Sequence, residues 1–203
     1  MDDVRVIVEH EGTRPRIHPS AFVAPNAVVC GDVTIGEDAR VLFGAVLTAE
    51  GGAIEIGAST IVMENAVIRG RAGNATTVGR HVLIGPHSHV NGASIEDEVF
   101  VATGAALFPG ARIGAGSEVR INAVVHVNTH VEPRTTVPIG WIAVGNPAQL
   151  FSPDQHEELW RVQRESDFPG TLFGLAREEA TMERITAQYV ERFGKHRADR
   201  RVG

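Results

Sequence analysis

The sequence predicts a mainly β fold: a parallel solenoid of short strands wound as a three-sided coil, followed by helices. Two observations predict it. One is a six-residue register. Aliphatic residues recur at Ile17, Val23, Val29, Ile35 and Val41, return at Val78, Ile84 and Val90, and take one five-residue step to Ile95. They then run on through Val101, Leu107, Ile113, Val119, Val125, Val131 and Val137. The fifth member of nearly every unit is small, as at Ala21, Ala27, Ala39, Ala45, Ala66, Ser88, Ser94, Ala105, Ala111, Ser117, Ala123, Thr129 and Thr135. The other is composition: of 203 residues 43% are hydrophobic but only 5% aromatic.

A period of six fits neither the 3.6 of a helix nor the 2 of a half-buried strand. It fits a short strand and a corner, repeated, with the first and fifth residues of each unit pointing inward. Three units make one turn, and turns stack backbone to backbone at about 4.8 Å. The narrow interior takes one aliphatic and one small side chain per unit and leaves no room for rings. A β-sandwich of alternating strands would not hold so strict a register. Gly36, Gly79, Gly85, Gly114 and Asn91 are expected at corners with positive φ. Such a coil is quasi-one-dimensional, and its exposed ends need caps.

Two stretches break the register, Leu47 to Ile56 and Arg69 to Thr77. Their Gly and polar residues read as excursions from a rigid scaffold, where function often sits. From Trp141 the aromatics return: seven of the eleven lie there. Ser152, Pro153 and Gln155 read as N-cap, N1 and N3 of a helix to about Arg164. Asp167-Phe-Pro-Gly170 stops it. A second helix, from about Arg177 to Phe193, places Met182, Ile185, Tyr189 and Phe193 on one stripe, with Gly194 as its C-cap. His196 to Gly203 read as frayed. The expected division is a β-helix over 1–150 and a helical segment over 151–203, packing on the coil or capping its end.

Composition excludes several roles. The net charge of −6, with no basic run, argues against nucleic acid as a partner. No apolar run is long enough to span a membrane. The chain opens on Met1-Asp2-Asp3, unlike a secretory leader. Its single Cys30 can form no intrachain disulfide, which points to a reducing compartment and a cytoplasmic location.

The hexapeptide register, the loop after the fifth unit, the segment Val78-Gly-Arg-His-Val-Leu-Ile-Gly-Pro-His-Ser-His-Val-Asn-Gly-Ala-Ser-Ile-Glu-Asp97 and the ending Ala143-Val-Gly-Asn-Pro-Ala148 together resemble the γ-class carbonic anhydrase family, over roughly residues 17 to 165. The resemblance implies a left-handed parallel β-helix, a C-terminal helix packed on it, and a homotrimer with zinc between subunits. The activity it implies is that of a lyase hydrating CO2 to bicarbonate. In the family three imidazoles hold the metal and leave a fourth position open. Here Arg69 stands at the first His place and Met63 at that of a Gln. Pro86 and Asn91 stand at the other two His places, and Thr48-Ala49-Glu50 replaces an Arg-Gly-Asp. The resemblance therefore implies a zinc site that is rearranged or lost.

Other residues supply candidate chemistry. His87 and His89 flank the inward Ser88, so both are expected to point outward on one face beside Asn91. A His-x-His pair on a strand chelates metals, because alternate side chains share a face; a neighbouring subunit would complete the shell. The plainer reading is a pair of interface or surface histidines making hydrogen bonds. His126 and His130 form a second outward pair, while His10, His18, His156 and His196 carry no pattern. Arg69 and Arg71 suit an anion such as bicarbonate, with Glu50 and Asn91 beside them. Alternatively Arg69 replaces the lost metal's charge by pairing with Glu50 or Glu64. Two other functions stay open. One is a CoA-dependent acyltransferase, with which the register and Gly145-Asn-Pro-Ala148 are shared and in which His126 or His89 would be the general base. The other is a non-catalytic trimeric scaffold.

Overall fold

In the computed structural model the described residues, 6–203, form the predicted coil. Parallel strands stack into three sheets, and each sheet takes every third strand in chain order, so each is one side of a prism. The first side carries Val6–Glu9, Val28–Cys30, Val46–Glu50, Val67–Arg71, His89–Asn91, Ala106–Leu107, Val124–Val125 and Ile142–Val144. The second runs from Arg16–Ile17 to His130–Val131, and the third from Phe22–Val23 to Thr136–Val137. The first sheet ends on antiparallel strands at both edges: Gln149–Phe151 pairs with Ile142–Val144, and Arg200–Arg201 pairs with Val6–Glu9. These strands occupy edges that would otherwise be free to pair with another chain.

The interior is built as the register requires. Val29, Leu47, Ile68, Val90, Leu107 and Val125 form a column of fully buried side chains on the first side. Ile35, Ile56, Val78, Ile95, Ile113 and Val131 do so on the second, and Val41, Val62, Ile84, Val101, Val119 and Val137 on the third. Small residues fill the corners between them, including the buried Ser88, Ser117 and Thr129, whose hydroxyls donate to backbone carbonyls. Ser94 is a correction: it is exposed, and Ala93 takes the inward place, because the five-residue step moves the small position by one.

The glycines also differ from expectation. Gly36, Gly79, Gly85 and Gly114 do not have positive φ. A Cβ on Gly114 would stand 2.4 Å from the nitrogen of Pro133 in the next turn, so these glycines permit close stacking. Asn91 likewise lies in a strand. Positive φ falls two residues after those glycines, at Asp38, His81, His87 and Gly116, and at Asn65, Asn122 and Asn128 in other units. Asn, Asp and Gly tolerate that left-handed corner best.

The two interruptions are not loose excursions. Val46–Glu50 and Val67–Arg71 are the long strands of the first side and pair with each other over five positions, Val46 with Val67 through to Glu50 with Arg71. Their turns then lead into Ile54–Ile56 and Thr76–Val78. The extra residues lengthen the first side of the prism in two successive turns and carry Glu50, Arg69 and Arg71 beyond its usual edge.

The segment after Phe151 returns along the first side from the last turn to the first. Helix α1 is His156–Gln163, α2 is Phe168–Phe173 and α3 is Met182–Gly194. The start of α1 lies later than predicted, since Ser152 and Gln155 bond each other in a turn before it. The segment read as a stop instead starts α2: Asp167 accepts from the Gly170 amide, 3.2 Å away, and Pro169 sits in the first turn. α3 is capped by Thr181 and buries Ile185, while Met182 is exposed and Gly194 lies inside the helix. The end is not frayed. After a turn of 3-10 helix at Lys195–Ala198, Arg200–Arg201 joins the first strand, with Val202 N–H donating to Ile7 O at 2.8 Å.

Candidate functional site

Alternation along the long strands decides what this side offers. Ile68 points inward, so Arg69 and Arg71 point outward, and register sets Asn91 beside Arg69 and Glu50 beside Arg71. Leu172 of α2 and Tyr189 and Arg192 of α3 lie over them. Together with His89 and Phe108 they enclose a cavity of about 210 Å³. Five sequence candidates, Glu50, Arg69, Arg71, His89 and Asn91, meet there.

Arg69 lies 3.8 Å from Glu50 Oε1 and 5.4 Å over the Phe193 ring. Arg71 donates to the Leu172 carbonyl, and Arg192 lies 5.6 Å over the Tyr189 ring. Glu50 Oε1 also meets His196 Nε2 at 3.0 Å, whereas Glu50 Oε2 and Asn91 Oδ1 are buried with no hydrogen-bond partner. Burial, and then the charge of Arg69, hold the His89 imidazole below its ordinary range and neutral. Three guanidiniums against one carboxylate leave the pocket cationic.

His87 is not with them. It is exposed at a left-handed corner, φ 57°, before the strand His89–Asn91 begins. The expectation that His87 and His89 share a face assumed that both were extended, and only His89 is. Within one chain the pocket holds one imidazole beside cationic Arg69, with Arg71 and Arg192 near. That donor set does not fit a zinc ion, whose charge the guanidiniums would repel.

Among the described residues a different group brings metal-type donors together: His10, Cys30, His196 and Asp199, whose ligand atoms all lie within 4.8 Å of one another. Asp199 joins His10 Nδ1 at 2.6 Å and His196 Nδ1 at 2.7 Å, with Cys30 Sγ 3.8 Å from its Oδ2. Sequence reading missed this group because its members are far apart in the chain and only His196 and Asp199 are locally related.

His126 does not pair outward with His130. It is buried among Phe108, Phe168 and Gln163, with its Nε2 3.0 Å from the Gln163 amide nitrogen. A cavity of about 520 Å³ opens beside Gly145, Asn146 and Pro147, and its other wall includes Glu165 and Asp167. Two carboxylates there suit neither a diphosphate nor another anion.

Known proteins bear on this geometry. Residues 14–49 match the family described as bacterial transferase hexapeptide (six repeats). Gamma carbonic anhydrase 1, mitochondrial, of Arabidopsis thaliana is 31% identical over 151 residues, which are 71% of this chain and 53% of that protein. A carbonic anhydrase of Geobacillus kaustophilus is 24% identical over 179 residues, covering 87% of this chain and 95% of that one. The chain spans about half the length of the Arabidopsis relatives it matches. A Bacillus cereus protein provisionally named an acetyltransferase shares the fold at a TM-score of 0.54, with 20% identity over 78% of this chain and 90% of that one. The sixfold register, the three-sided coil and these likenesses agree: the chain is a hexapeptide-repeat β-helix whose sequence is similar to those of γ-carbonic anhydrases.

Proposed function

We propose that this chain is a trimeric γ-carbonic-anhydrase-like protein whose pocket over Arg69 binds a small anion carrying one hydrogen-bond donor, bicarbonate being the simplest. The observation that carries this reading is Arg69 itself. It stands where the resemblance places a metal-binding imidazole, and it faces Glu50 in a pocket with Arg71, Arg192 and neutral His89. The guanidiniums would hold the charged oxygens. The unpaired Glu50 Oε2 and Asn91 Oδ1 are acceptors, and the ligand's O–H would satisfy one of them. His89, neutral, is the group able to take a proton there. No metal enters this reading.

Self-association is supported by apolar residues left in water along the third side and its following corner. Phe22, Phe43, Phe100, Ile121 and Ile139 are all exposed. A free, buried Cys30 suits a reducing compartment such as the cytoplasm. No helix among the described residues is long and apolar enough to cross a membrane.

Calorimetric titration with bicarbonate and with short carboxylates tests the pocket. Binding to the wild type and at least tenfold weaker binding to Arg69→Ala are expected, with CO2 hydration no faster than in buffer. Zinc-dependent hydration that is lost in His89→Ala would sink the reading in favour of a metal enzyme. The acyltransferase alternative rests on the cavity beside Gly145–Pro147, and stabilisation of the protein by acetyl-CoA would favour it.

A further inference from the structure

We propose that His10, Cys30, His196 and Asp199 form a four-ligand site for a zinc-class divalent cation that latches the C-terminal tail onto the first two turns of the coil. None of these four residues lines the anion pocket, and the two sites adjoin at Glu50, which meets His196 on one side and Arg69 on the other.

The placement is architectural. Cys30 is paired with Val8 in the first sheet, and His10 follows the same strand as Val8, so the coil alone brings these two side by side. The tail supplies the other two at the point where it turns to join that sheet. His10 and Cys30 are buried, and the His10 and His196 rings stack at 4.3 Å.

The donor set is one thiol, two imidazoles and one carboxylate, which matches a borderline-soft, four-coordinate ion. Bond lengths of about 2.0 Å to nitrogen and 2.3 Å to sulfur imply a tetrahedron with edges of about 3.4 Å. The ligand atoms lie within 4.8 Å of one another, so coordination would draw the widest pair together and open the Asp199–imidazole contacts of 2.6 and 2.7 Å. Both imidazoles present Nδ1 to the centre, where Asp199 now holds them together.

One outer partner is also in place. Ligating imidazoles commonly pass their second N–H to a carboxylate. Here His196 Nε2 meets Glu50 at 3.0 Å, and His10 Nε2 lies 3.7 Å from Glu11. Glu50 is 6% exposed, and its Oε2 has no partner. Arg69, 3.8 Å from Oε1, offsets part of this buried charge. Asp199 and Glu50 are the carboxylates that act on the Cys30 thiol, the first with Oδ2 3.8 Å from its Sγ. A dication would offset those same carboxylates. Its binding would convert the thiol to a thiolate, with the proton leaving to buffer. A cavity of about 200 Å³ beside His10, Glu11 and Asp32 offers an approach.

The test uses the full chain, stripped of metal and titrated with Co2+ and Zn2+. Co2+ should bind at one per chain with a thiolate-to-cobalt charge-transfer band. The band should vanish in Cys30→Ser, and affinity should fall at least tenfold in His196→Ala. Zn2+ should raise the melting temperature of the wild type and not of His196→Ala. The His196 side chain is 32% exposed, so that variant carries the test if Cys30→Ser fails to fold. No saturable uptake in the wild type, or a band that survives Cys30→Ser, would overturn the proposal. So would uptake kept in His196→Ala but lost in His89→Ala, which would place the metal in the anion pocket. Bicarbonate binding that fails while cobalt binding persists would refute only the anion reading.

Discussion

His126 shows how one residue's surroundings set its chemistry. From the register it reads as an outward histidine; α2 covers it instead, placing Phe168 5.6 Å from its ring. Burial holds its imidazole below the ordinary range, and its Nδ1 has no partner. The unfolded state therefore takes up a proton at a higher pH than the folded one. Stability falls as pH drops through the ordinary histidine range near 6.5 and is retained above it. Urea denaturation at pH 7.5 and pH 5 should show that fall, and it should be smaller in His126→Leu than in the wild type. Arg69 makes the same point in the other direction: its identity was plain in the sequence, and its partner Glu50 was one of two candidates until the strands were paired.

At the scale of elements, the two long strands are the feature that makes a site. Gly70 faces Gly52, and a Cβ on Gly70 would stand 2.0 Å from the Gly52 carbonyl oxygen. Only glycine allows the second long strand to pass so close to the turn that follows the first. Gly70→Ala should therefore cost about 1–3 kcal/mol, as overpacking against rigid backbone does, seen as a lower urea midpoint with unchanged slope. The same substitution should weaken anion binding, because it moves the strand that carries Arg69 and Arg71. In the sequence these stretches read as loops, since Gly-Gly and Ala-Gly-Asn are turn signals and cross-strand pairing cannot be read from one segment. The tail was misread for a related reason. Val202-Gly203 and the residues before it have no periodicity, and they are ordered by a sheet edge that lies at the other end of the chain.

For the whole molecule, the coil presents its exposed apolar residues along the third side and its corner, away from the side the tail covers. That distribution suits association about an axis parallel to the coil. Phe43→Glu, at a side chain 53% exposed, should leave the fold intact while lowering the solution mass from three chains to one, as light scattering would show. A monomeric wild type would count against the trimer.

The sequence by itself determined the coil. A period of six with small residues at the fifth place can bury its aliphatics in few other ways, and the lack of rings follows from the width of the interior. It also marked Glu50, Arg69, His89 and Asn91, because these residues stand at or beside positions where the γ-carbonic anhydrase resemblance expects other side chains. Only the tertiary structure decided the rest. His87 leaves the group because a left-handed corner turns it away. His10, Cys30, His196 and Asp199 meet because the tail folds back over the length of the prism. Periodicity reports what a residue does within its own turn of chain, whereas a site assembled from both ends depends on a path that no local pattern records.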